Sequence, residues 1–166
     1  MTQTDELVAN AAEYFKSGAQ DGGLEARPAR GVAVVCCMDA RIDVYSLLGL
    51  RTGEAHVIRN AGGLVTEDAI RSLAISQRFL GTREVVLIHH TNCGLQGLDD
   101  EKLASELEAE TGTRPTWRAG GFSDPADDVR RSIAALRADP FIALKDSIRG
   151  FVFDVKTGGL EEVQPD

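Results

Sequence analysis

The sequence predicts an α/β fold, a mainly parallel β-sheet with flanking helices, an N-terminal helical arm and a C-terminal strand and hairpin at the edge. Three features carry that reading. Short β-prone runs alternate with stretches of helical periodicity along most of the chain. The first run, Val32-Ala-Val-Val-Cys-Cys37, is apolar without interruption, as suits a strand buried on both faces. The last, Phe151-Val-Phe-Asp-Val, is followed by Lys-Thr-Gly-Gly and then Leu-Glu-Glu-Val, which reads as strand, turn and strand.

Taken in order, residues 4–16 place Leu7, Val8, Ala11, Ala12 and Phe15 at helical spacing, with Asp5 and Glu6 in the first turn. Ser17-Gly-Ala-Gln-Asp-Gly-Gly23 and then Pro28 detach this helix, so residues 1–30 read as a helix and flexible arm and residues 31–166 as the core of a single domain. After the strand at 32–37, residues 55–59 and 84–89 are further strands. Between them Thr66 caps a helix that runs to about Leu80, with Glu67 and Asp68 in its first turn and Gly81 just past its end. Residues 99–110 and 125–138 predict two more helices, opened by Asp and Pro.

Composition narrows the function classes. With 18 Lys and Arg against 26 Asp and Glu the formal charge is −8, and no basic cluster interrupts it. Such a chain repels phosphate backbones and anionic lipid, which argues against nucleic acid and membrane partners. The apolar run from Val32 to Met38 is far short of the ~20 residues that span a bilayer. Met1-Thr-Gln-Thr-Asp-Glu has neither the basic start nor the apolar stretch of a secretion signal, so the expected compartment is cytoplasmic. Three cysteines cannot complete a disulfide framework. In a reducing compartment they more often bind metal or do chemistry.

Two strands end in such residues. Cys36-Cys37-Met38-Asp39-Ala40-Arg41 closes the first, and in extended chain Cys37, Asp39 and Arg41 share one face. His89-His90-Thr91-Asn92-Cys93-Gly94 closes the third, where a tight turn can aim His90 and Cys93 at one ion. Ligands of open α/β sheets bind beyond the carboxyl ends of the strands. Two thiolates and an imidazole suit zinc, and three protein ligands leave a fourth tetrahedral position open, the mark of a catalytic rather than a structural site. The bland reading stands beside it: buried Cys is common core filling, and Asp with Arg two residues on is often only a local ion pair. A dinucleotide site would need Gly-x-Gly-x-x-Gly after the first strand, which is absent.

The two motifs, Cys37-Met-Asp39-Ala-Arg41 and His90-Thr-Asn-Cys93-Gly94, resemble those of the β-class carbonic anhydrases, in the family's order. Gly53-Glu-Ala-His-Val-Ile-Arg-Asn-Ala-Gly62 is similar to the family's second-strand block, and Asp68-x-x-x-Arg71-Ser-Leu to its long helix. The resemblance implies one Zn2+ per chain on Cys37, His90 and Cys93, a catalytic dyad of Asp39 and Arg41, and reversible hydration of carbon dioxide to bicarbonate by zinc-bound hydroxide. It also implies a homodimer or higher homo-oligomer. Cys36 falls off the motif's register and reads as apolar filler, while the amides of Gly94 and Leu95, in a segment leading to a helix, are candidates for holding an anionic oxygen. Two rivals remain: hydrolysis of carbonyl sulfide or carbon disulfide at the same zinc, and a non-catalytic zinc or redox-sensing module.

Overall fold

A computed structural model describes residues 2–165, so Met1 and Asp166 of the 1–166 span lie outside the described residues. Each predicted element forms, with ends set by local chemistry. Helix α1 (Gln3–Ser17) starts on a reciprocal box in which the Thr2 hydroxyl accepts from the Asp5 amide and the Asp5 carboxylate accepts from that of Thr2. Strand β1 is Val32–Cys37, followed by a short helix α2 (Val44–Leu48) that sequence periodicity did not reveal. Strand β2 (Ala55–Asn60) runs into a 3-10 turn at Ala61–Gly63. Helix α3 (Glu67–Leu80) is capped by Thr66 and closed by left-handed Gly81, as predicted. Strand β3 (Glu84–His90), helix α4 (Asp100–Thr111) and helix α5 (Pro125–Ala138) follow, the two helices capped by Asp99 and Asp124. Strands β4 (Ile148–Phe153) and β5 (Leu160–Val163) complete the chain.

The five strands lie in the order β2-β1-β3-β4-β5. The first four are parallel, and β5 returns antiparallel on β4 at the edge, so the sheet is the mainly parallel one the sequence predicts. Side-chain alternation divides the interior in two. Ala33, Val35, Val85 and Leu87 meet Leu73 of α3 and Val129, Ile133 and Leu136 of α5 on one face. Val34, Cys36 and Ile88 meet Ile42, Val44 and Phe122 on the other, together with Cys37 and Cys93. Because β1 and β3 are adjacent, their carboxyl ends deliver both motifs to one place.

Helix α1 buries none of its residues. The chain is tied down well before the core begins, however. His56 Nε2 donates to the Ala26 carbonyl, and the Ala29 and Arg30 amides donate to the carbonyls of Gly53 and Glu54.

The 3-10 turn after β2 presses against the strand ends. Gly63 has φ +70°, and a Cβ there would lie 2.8 Å from the Cys37 nitrogen and 3.0 Å from the Ile88 oxygen, both backbone atoms. Gly63→Ala should therefore destabilise the fold by about 2–4 kcal/mol in urea unfolding, through overpacking together with a strained backbone. Gly94→Ala, where a Cβ meets open space, should change stability by less than about 0.5 kcal/mol. Equal stability of the two variants would show that the turn yields freely.

Candidate metal centre

Cys37, His90 and Cys93 converge, with Sγ, imidazole nitrogen and Sγ all within 4.8 Å of one another. All three are buried, His90 completely. The His90 Nδ1 proton goes to the Thr91 carbonyl at 3.0 Å, which leaves the Nε2 lone pair facing the sulfurs. Among the described residues Nε2 has no hydrogen-bond partner, an orphaned buried acceptor that a metal ion would satisfy. Two thiolates also cancel the charge of a divalent ion, so the filled set is neutral and tolerates burial. The donors present fit zinc.

The surroundings favour thiolate at Cys37. Burial raises its pKa, but the adjacent His90 imidazole and the amides of Asp39 and Gly62 outweigh that and bring it down to about 7. Burial pushes Cys93 up, opposed by the Leu95 amide and reinforced by the neighbouring Cys37. Cys36 goes to the core, where burial raises its thiol to about 11, and it takes no part in the cluster. The paired histidines separate by alternation along β3. His89 turns to α5, where Asp128 Oδ2 lies 3.5 Å from its Nδ1.

Asp39 and Arg41 meet beside the sulfurs, by a route other than strand alternation. Extended structure stops at Cys37, and the chain turns so that the Arg41 amide donates to Asp39 Oδ1. The guanidinium then grips the same carboxylate, Nε to Oδ1 at 2.9 Å and Nη2 to Oδ2 at 2.7 Å. These bonds hold the Asp39 carboxyl well below the ordinary carboxylate range. Asp39 Oδ2 lies 3.8 Å from His90 Nε2, so the dyad faces the cluster.

Arg59 escaped the sequence reading. From β2 it reaches over its register partner Cys36 and donates to the carbonyls of Cys37, at 3.0 Å, and Asp39, at 2.7 Å. Its role depends on strand pairing, which no local spacing shows. Asn60 was also missed; its amide closes the 3-10 turn by bonding the Leu64 N–H and C=O, both at 2.8 Å.

Gly94 and Leu95 lie in a run of tight turns that leads to α4 at Asp100, and the Leu95 amide lowers the Cys93 thiol against the effect of burial.

Comparison with known proteins agrees with this geometry. The carbonic anhydrase family model matches residues 32–117. The chain is 52% identical over 165 residues to beta-carbonic anhydrase 1 of Mycobacterium tuberculosis, covering 99% of this chain and 100% of that one. It is 36% identical to a carbon disulfide hydrolase of Acidithiobacillus thiooxidans, covering 79% and 76% of the two chains. The crystal structure of a carbonic anhydrase from Streptococcus mutans superposes with TM-score 0.90 at 38% identity, over 99% of both chains. By motif, fold and full-length similarity, the chain belongs to the β-class carbonic anhydrase family.

Proposed function

We propose that the chain is a zinc enzyme, a lyase that catalyses the reversible hydration of carbon dioxide to bicarbonate, with Cys37, His90 and Cys93 holding one Zn2+. The carrying observation is the convergence of those three ligand atoms within 4.8 Å beside a carboxylate already committed to Arg41, in a chain 52% identical over its length to a beta-carbonic anhydrase. When bound, zinc supplies a water that ionises near neutral pH, a nucleophile for the carbon of carbon dioxide.

The chain's own residues do the rest. His90 presents Nε2 because Thr91 takes the Nδ1 proton. Asp39 stays ionised and fixed, so it accepts a hydrogen bond from the attacking water and orients its lone pair toward the substrate. Arg41 keeps that carboxylate in place. Three free cysteines suit a reducing, cytoplasmic setting, and no described helix is long and apolar enough to cross a membrane.

Carbon disulfide or carbonyl sulfide would meet the same zinc. Carbon dioxide is favoured by the higher and more complete similarity to the carbonic anhydrase relative. A purely metal-holding module would have no use for the Asp39–Arg41 grip.

The working unit we propose is at least a homodimer. Helix α1 leaves Leu7, Val8 and Phe15 exposed, and a lone helix of its length is marginal in water. On the core, Ile75, Phe79, Trp117 and Phe141 line an apolar groove of about 1060 Å³. Exchange of arms between two copies would cover both surfaces.

Three outcomes follow. Elemental analysis should find one zinc per chain, lost or weakened in Cys37→Ser, His90→Ala and Cys93→Ser and kept in Cys36→Ser; loss in the Cys36 variant alone would assign the wrong cysteine. Asp39→Asn and Arg41→Ala should keep zinc while hydration, followed by stopped flow, falls on the order of 10²–10⁴-fold. Rates near wild type in either would remove the dyad from the mechanism, and faster turnover of carbonyl sulfide than of carbon dioxide would change the substrate. Deletion of residues 1–18 should give monomers of low activity in sedimentation, and an intact truncated dimer would refute arm exchange.

A further inference from the structure

Among the described residues, Asn92 is the single non-glycine with a left-handed backbone, at φ 53°. It stands in the turn between His90 and Cys93, and its side chain is exposed and makes no hydrogen bond among the described residues. Its carbonyl oxygen, by contrast, accepts from Arg41 Nη2 at 2.9 Å. That same nitrogen donates to Asp39 Oδ2 at 2.7 Å. The guanidinium is thus held from two sides, by the carboxylate of its own turn and by a main-chain oxygen 51 residues away in sequence. Arg41 is half exposed, so packing alone does not fix it.

We infer that Asn92 is a positioning residue for the hydration reaction: its left-handed conformation aims its carbonyl at Arg41, and Arg41 then holds Asp39 in its working orientation. Asparagine suits the position because its short polar side chain tolerates this backbone region, which β-branched residues avoid. Relaxing the residue to an ordinary conformation rotates the peptide and withdraws the oxygen from the guanidinium. Asp39 then loses its anchor to the second ligand turn, although the metal-binding atoms stay in place. The inference rests on the dyad having the part proposed above.

The test uses the zinc-loaded full-length enzyme with four substitutions, reading zinc content and kcat/KM for carbon dioxide together. N92V should keep its zinc and lose about tenfold in kcat/KM, the effect of making a strained backbone relax. N92G, free to take a positive φ, should bring the rate back to within about threefold of the unsubstituted enzyme. In an R41A background N92V should add nothing, because the anchored group is already gone. If N92V does not fold, N92A carries the same comparison with a loss of about threefold or more.

The inference is overturned by an N92V rate near wild type, by an N92G loss as large as that of N92V, by loss of zinc in N92V, or by an equal further loss in the R41A background. R41A at the wild-type rate would instead strike the dyad reading itself, which separates the two failures.

Discussion

The structure depends on holding three metal-competent side chains, two of them potential anions, inside a protein at the carboxyl ends of two adjacent parallel strands. Burying unpaired thiolates or an unsatisfied imidazole is unfavourable unless something compensates them. Much of the local architecture supplies that compensation before any metal arrives. The Asp39 and Gly62 amides near Cys37 and the Leu95 amide near Cys93 lower those thiols against the effect of burial. The carbonyl of Thr91 fixes the proton of His90. The 3-10 turn that brings Gly62 in packs so closely on β1 and β3 that only glycine fits at Gly63. The fold is arranged around a polar hole in an apolar interior.

That polar hole also explains the doublets Cys36-Cys37 and His89-His90. In each pair only one residue joins the ligand set: the histidines separate by strand alternation, whereas Cys36 packs in the same apolar cluster as Cys37 and Cys93 with its sulfur outside the set. Cys36 becomes core, with its thiol pushed well up by burial. His89 faces α5, and among the described residues neither of its ring nitrogens finds a hydrogen bond, nor does the Asp128 oxygen 3.5 Å away. The motif spacing selects the right member of each pair because it encodes the turn after the strand.

The regular elements were legible because their signals are local. Thr66 and Gly81 bracket α3, Asp124 and Pro125 open α5, and the apolar run from Val32 to Cys37 is a central strand. The five-residue α2 was not legible, being too short to show a period. Within the centre, the residues carrying ligand chemistry were readable from two motifs. What holds them was not. Arg59 acts through strand register, Asn60 through a turn, and Asn92 through a backbone angle. The expectation that Cys37, Asp39 and Arg41 share a strand face named the right neighbours by the wrong route. The strand ends first, and a side-chain-to-backbone turn brings Asp39 and Arg41 together. Gly94 and Leu95 lead to α4 through tight turns that no periodicity shows.

The arrangement also orders what acid does to the site. Protons and metal compete for the same three atoms, so binding weakens as those atoms protonate. Cys37 is set near 7 and burial raises Cys93 above the ordinary thiol value, so when metal is absent Cys93 takes its proton at alkaline pH and Cys37 in the neutral range. Asp39 is different, because the Arg41 guanidinium and amide depress its carboxyl. A depressed carboxylate contributes stability above its unfolded value of about 3.9, and that contribution is lost only as pH falls through its lower folded value. Across the interval in which the ligands protonate, the Asp39–Arg41 pair and its anchor on Asn92 stay formed. Acid therefore releases the ion from an intact frame, and neutralisation offers the metal ligands already surrounded by their oriented partners.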